Sequence, residues 1–186
     1  MKDLYLMRHG ETEYNVKMLC QGWSDSPLTE NGIYQAKVAG NYYKKHNIIF
    51  DHAYCSSLKR ARDTMELVTD MKYLVIDDLK EWGFGKAEGM NITKMTRPPF
   101  GDFFKQYDGE DELECRERMV NAVSKIMKLD NQKVLIVSHG GTIMQFYKAT
   151  KQNSDIELTH LSNCSILHYQ YEDGIFYLRE VIHHDF

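Results

Sequence analysis

The 186-residue chain lacks the marks of several broad protein classes. No apolar stretch approaches the roughly 20 residues that a membrane-spanning helix needs. The first apolar run is cut short by Arg8, so it does not read as an export signal. Positive charge is not in excess: the formal net charge is −4, whereas a general nucleic-acid binder needs surplus Lys and Arg to displace counterions. That balance still permits a local basic pocket for a small anion. Cysteine is scarce and scattered, at Cys20, Cys55, Cys115 and Cys164, with no C-x-x-C pair. Such spacing suits neither a zinc site nor a disulfide framework and reads as free thiols in a reducing compartment, hence a cytoplasmic location. Repeats, low-complexity tracts and linkers are missing too, so one domain over residues 1–186 is expected. Asn91-Ile92-Thr93 and Asn163-Cys164-Ser165 match the glycosylation sequon, but without an export signal they read as chance.

What is present alternates strands with helices. Leu4-Tyr5-Leu6-Met7 is a short buried-strand run ending at Arg8-His9-Gly10. Thr29 is placed to cap a helix to about His46, with Ile33, Ala36, Gly40 and Tyr43 on one face. Ile48 to Cys55 reads as a second strand, Ser56 or Ser57 as the cap of a helix to about Thr69, and Tyr73–Ile76 as a third strand. Asp111-Glu112-Leu113-Glu114 has capping-box form, with Leu113, Val120, Val123 and Met127 as the apolar stripe behind it. Val134–Val137 suits a parallel strand covered on both faces. Ser165–Gln170 and Ile175–Val181 flank Glu172-Asp173-Gly174, a hairpin signal. The fold class expected is α/β, three layers, with a mostly parallel central sheet of about six strands, one of them antiparallel.

A strand running into histidine and then glycine occurs twice, at His9 and at His139. Ligands collect at the carboxyl ends of parallel strands, where helix N-termini present N–H groups. If the two strands are neighbours, both imidazoles project into one crevice. Other patterns fall short. In Gly83-Phe84-Gly85-Lys86-Ala87-Glu88-Gly89 the third glycine is one place late for a dinucleotide loop, and no Walker lysine motif occurs. His183-His184-Asp185 reads as a frayed terminus rather than a metal site, and His46, His52, His160 and His168 as surface or packing residues.

Five blocks in order resemble the histidine phosphatase superfamily, the phosphoglycerate mutase-like proteins. They are Leu6-Met7-Arg8-His9-Gly10-Glu11-Thr12 with Asn15; Gln21-Gly22-Trp23-Ser24-Asp25-Ser26-Pro27-Leu28-Thr29-Glu30-Asn31-Gly32; Ser56-Ser57-Leu58-Lys59-Arg60-Ala61; Leu79-Lys80-Glu81 with Glu88-Gly89; and Val137-Ser138-His139-Gly140-Gly141. The resemblance implies a catalytic set of His9, Glu81, His139, Arg8 and Arg60. His9 would be the nucleophile, one ring nitrogen unprotonated and the other held, most simply by a backbone carbonyl. Arg8 and Arg60 would clamp the phosphoryl oxygens. Arg62 is the rival of Arg60, but residues two apart on a helix face nearly opposite ways. His139, Asn15, Gln21, Gly22 and Gly140 would complete the phosphate site. Glu81 would be the proton donor, with Glu11 and Glu13 as rivals by position. No cofactor and no metal are expected.

The family divides into phosphatases and mutases. Only 29 residues separate Glu81 from Asp111, among them Met95, Arg97, Pro98, Pro99, Phe100, Phe103, Phe104 and Tyr107. The resemblance implies that this is short, and too aromatic, for a mutase insertion. It also suggests that Ser-His-Gly-Gly belongs to the phosphatase branch. The expectation is a metal-independent phosphomonoesterase acting on a small phosphorylated metabolite, with a cap at about residues 82–110. A bisphosphoglycerate-dependent phosphoglycerate mutase is the alternative, and a non-catalytic phosphate-recognition module a distant third. No nucleic acid or membrane partner is expected, and the sequence does not distinguish a monomer from a homodimer.

Overall fold

The aliphatic runs at Leu4–Met7 and Val134–Val137, too short for helices, become central strands here because both of their faces find cover. The computed structural model describes residues 1–94 and 101–184. In chain order they form β1 (Lys2–Arg8), the one-turn α1 (Glu13–Val16), α2 (Glu30–Lys45), β2 (His52–Ser56), α3 (Lys59–Val68) and β3 (Leu74–Ile76), then α4 (Glu112–Lys128), β4 (Lys133–Ser138), α5 (Gly140–Thr150), β5 (Ile166–Glu172) and β6 (Ile175–Ile182). These strands make one sheet of order β3-β2-β4-β1-β5-β6. β3, β2, β4 and β1 are parallel, β5 runs antiparallel to β1, and β6 runs antiparallel to β5. The expected α/β class, with one strand against the rest, is what the chain adopts.

Side chains alternate across the pleat and so divide the core into two halves. Leu4, Leu6, Val134 and Ile136 pack under α4 and α5 with Met119, Val123, Ile143 and Phe146. Tyr5, Met7, Leu135 and Val137 pack on the other face with Ala36, Ala39, Ala61 and Met65 of α2 and α3. Three layers result.

Several expectations shift. The second strand starts at His52 rather than Ile48, and β3 omits Tyr73. Leu74 and Val75 stay exposed because β3 is an edge strand. Ile33 is exposed as well: α2 turns Tyr43 and the small residues Ala36, Ala39 and Gly40 inward, which lets α3 approach, and leaves Ile33 outside. Leu113 is exposed in the first turn of α4, whose core ladder runs instead through Cys115, Met119, Ala122, Val123, Ile126 and Met127. Thr29 and Asp111 cap as expected. Ser57 does not: its hydroxyl donates to Asp77. The first N–H groups of α3, at Lys59 and Arg60, donate to the distant Asp25 carboxylate. No described helix is long and apolar enough to cross a membrane.

The segment between β3 and α4 has its own small core of Trp82, Ala87, Phe104 and Cys115, with Phe84, Phe103 and Tyr107 packed against it. Phe103, Phe104 and Tyr107 therefore belong to this small core. Met95, Arg97, Pro98, Pro99 and Phe100 lie outside the described residues.

Candidate active site

β1 and β4 are adjacent and in register, with Arg8 opposite Ser138, so the residues that follow each strand emerge together. His9 and His139 stand with ring centroids 5.2 Å apart, both buried. The His9 Nδ1 lies 2.7 Å from the Gly10 carbonyl, which can only accept. Nδ1 therefore carries the proton, and Nε2 keeps its lone pair and accepts from Arg60 Nε at 3.3 Å. Burial first, then the Arg60 and Arg8 guanidiniums, hold the His9 imidazole well below its ordinary range. The same forces, with His9 itself added, do so for His139.

Arg60 is almost wholly buried and held from all sides. Nη1 donates to the Ser24 carbonyl and the Asp25 carboxylate, and Nη2 to the Gly22 carbonyl. Gly22 has φ +55°, and a Cβ there would fall 2.3 Å from Glu88 Oε1, so only glycine fits. Glu88 in turn accepts from the Trp23 and Ser24 amides, fixing the loop that holds Arg60. Arg62 is exposed, on the opposite side of α3. Arg8 Nη1 donates to the Leu161 carbonyl at 2.6 Å, while its buried Nε has no partner among the described residues. His139 Nε2 meets the Ser56 hydroxyl at 2.7 Å, and its buried Nδ1 is likewise without a partner.

Glu81 caps α5 from outside. Its carboxylate accepts from the Trp82, Gly141 and Thr142 amides at 2.8–3.0 Å. Of its rivals, Glu11 accepts from the Thr29 hydroxyl and Glu13 pairs with Lys17 in solvent.

A cavity of about 390 Å³ opens over these groups, lined by Arg8, His9, Asn15, Gln21, Gly22, Arg60, Glu81 and Gly140 among others. His139 lies behind the wall, against His9. Two lining residues have their polar groups committed within the protein. Gln21 donates to Thr12 and accepts from Ser26, and Gly22 serves through its carbonyl. Asn15 Oδ1 accepts from Thr12 and Asn163, which leaves its amide N–H groups for an occupant. His160, read from sequence as surface or packing, sits exposed on the cavity rim. Among the described residues, no three His, Cys, Asp or Glu side chains are grouped to hold a metal.

Sequence reasoning missed the supports. Asp25 holds Arg60, Ser56 meets His139, and Thr64 accepts from the Gly10 amide. Asn163, dismissed with its sequon, donates to the His9 carbonyl at 3.1 Å. These residues lie in different elements, and no spacing rule connects them. Asp25 and Ser56 did fall within recognised blocks, the one signal available.

Fold and site define a class: an α/β protein that brings two imidazoles and two guanidinium groups together at the carboxyl ends of its parallel strands, with Arg8, His9 and Arg60 lining one hollow and His139 against His9. Within that class the chain belongs to the histidine phosphatase superfamily (branch 1), whose model matches residues 4–183. It is 36% identical over 147 aligned positions to the uncharacterized phosphatase PhoE of Bacillus subtilis, covering 77% of this chain and 74% of that protein. It is 31% identical to a 2,3-bisphosphoglycerate-dependent phosphoglycerate mutase of Parvibaculum lavamentivorans, covering 80% and 81%. That second match spreads about 149 residues of this chain over 172 positions, so the mutase carries about 20 residues without a counterpart here, against about 4 for PhoE. Among solved structures, a phosphoglycerate mutase from Bacillus anthracis superposes with TM-score 0.83 at 28% identity, over 96% of this chain and 91% of that one. Relatives of both kinds are enzymes, and so is this chain.

Proposed function

We propose that the protein is a metal-independent phosphomonoesterase working through a phosphohistidine on His9, with a small phosphorylated metabolite as substrate. One observation carries the reading: Arg8 Nε and His139 Nδ1 are buried, unpartnered nitrogens beside the same histidine. An unsatisfied buried donor costs about 1–3 kcal/mol, and two at one site are accounted for by an anion that fills them. With the Ser56 hydroxyl donating to Nε2, His139 Nδ1 carries its proton and becomes a donor to a phosphoryl oxygen.

In this reading the phosphoryl group settles between Arg8, Arg60, His139 and the Asn15 amide, and Arg60 Nε turns from His9 to a phosphoryl oxygen. His9 Nε2 then attacks phosphorus in line, while the Gly10 carbonyl keeps the ring oriented through Nδ1. Glu81 protonates the departing oxygen, and its carboxylate next takes a proton from the water that frees phosphate from Nε2. The segment after Glu81 is the cap, reaching the cavity through Phe84 and Ile92, and Gly140 adds its amide to the phosphoryl site. The four free, buried cysteines accord with a reducing, cytoplasmic setting.

The near gap-free match to PhoE favours hydrolysis over the mutase reading, which rests on the named mutase relatives. Phosphate release from a panel of phosphomonoesters should occur in EDTA. His9→Ala should abolish it together with acid-labile, base-stable labelling of the protein by substrate phosphate. Primed isomerisation of 3-phosphoglycerate with little hydrolysis would instead establish a mutase. Failure on every ester, with no labelling, would leave a phosphate-recognition module.

A further inference from the structure

The cavity is charged at one end only. Arg8 and Arg60 are its cations, and both stand at His9; the Arg60 Nη1 and Nη2 are already held by carbonyls and by Asp25, and Arg8 Nη1 by the Leu161 carbonyl. Beyond them no described Lys or Arg lines the cavity, and its one carboxylate is Glu81. The remaining walls are Leu19, Phe84, Ile92, Met144 and Leu161, with His160 and Thr159 on the rim.

These walls are held in place. Met144 lies four residues after Gly140 on α5 and so shares its face, one turn beyond the helix end that receives the anion. The Phe84 ring stacks on buried Phe104 at 4.3 Å between centroids. Leu19 and Ile92 face the cavity from two loops stitched together by the Leu19–Asn91 bridge and by the Ile92 amide on the Met18 carbonyl. Ile92, Met18 and Met90 are exposed beside it, so the apolar surface continues past the mouth.

From the phosphoesterase reading above, on which this step rests, we infer that the substrate is a monoester with an apolar leaving group and no second anionic group, selected by Phe84 and Met144. A ring or short alkyl chain fits the volume left beside the phosphoryl group, in a cavity near the small end of ligand pockets. A carboxylate or second phosphate on the leaving group would be desolvated against aliphatic walls in a cavity that also holds Glu81, and among the described lining residues would find no cation besides Arg8 and Arg60.

Three alkyl esters separate the contributions while keeping leaving-group acidity comparable: benzyl phosphate, glycerol 3-phosphate and 3-phosphoglycerate. The expected order of kcat/KM is the order given, with about 100-fold or more between first and last. Phe84→Ala should lower kcat/KM for benzyl phosphate about tenfold while glycerol 3-phosphate stays within about twofold. Met144→Lys should favour 3-phosphoglycerate relative to benzyl phosphate, and Phe84→Leu, a milder change, guards against misfolding as the cause. Equal use of benzyl phosphate and 3-phosphoglycerate, or equal losses on all three esters in Phe84→Ala and Phe84→Leu, overturns the inference while hydrolysis and His9 labelling stand. Absence of both hydrolysis and labelling overturns the phosphoesterase reading as well.

Discussion

Glu81 reaches its place through Gly141. A Cβ at position 141 would lie 2.7 Å from Glu81 Oε1, so the carboxylate can meet the start of α5 only where no side chain intervenes. Gly141→Ala should therefore behave as a partial Glu81→Gln. In both variants kcat for alkyl phosphates is expected to fall about tenfold or more, with p-nitrophenyl phosphate, whose leaving group needs little protonation, losing far less. Equal losses on both esters would remove Glu81 from the role of acid. At this scale the sequence was informative where a residue's own neighbours decide its fate. The two-residue spacing on a helix meant that only one of Arg60 and Arg62 could face the site, the family resemblance picked Arg60, which is the buried one, and the need for a held ring nitrogen anticipated the Gly10 carbonyl. It was silent where the partner comes from elsewhere, as with Thr64 beneath Gly10 or Asn163 against His9.

The segment carrying Glu81 is fastened by α4. Arg118 donates to the Asp78, Lys80 and Glu81 carbonyls and pairs with Glu110 at 2.7 Å, while Glu110 accepts from the Gly83 amide. Arg118 thus positions the acid without touching the cavity. Arg118→Met should reproduce the leaving-group dependence of Glu81→Gln more mildly, lowering kcat for alkyl esters severalfold with KM little changed. A uniform loss across esters would mean general loosening instead. Arg118→Lys should rescue poorly, since one ammonium cannot span those carbonyls as a fork does. Most elements were readable from short aliphatic runs and caps. The phase of α2 was not, because contact with α3 chose its small-residue face over Ile33, and neither was the cap of α3, since Asp25 lies 34 residues before Lys59.

In the whole molecule, keeping two imidazoles neutral and buried ties stability to pH. Both are depressed in the folded protein and titrate near 6.5 in the unfolded chain. Below that value the unfolded chain binds more protons, so the stability due to the neutral rings is complete above about pH 6.5 and declines as pH falls, by up to about 1.4 kcal/mol per pH unit for each ring. The lowered carboxyls of Asp51, Asp77, Glu112 and Glu114 add their own losses only in the ordinary carboxyl range, below the window from pH 6.5 to 5. Urea midpoints should fall across that window, and His139→Asn should flatten the fall; an unchanged slope would contradict it. The convergence of His9 and His139 was legible only on condition that their strands be neighbours, which the sheet order satisfies. That pairing also fixes what evolution can do with the length of this chain. Because Arg8 faces Ser138 along two strands buried on both sides, one residue added or removed within either would turn its histidine to the opposite face of the sheet. Homologous chains should accordingly vary in size in their connecting loops, while the spacing from the start of each of these strands to its histidine stays constant.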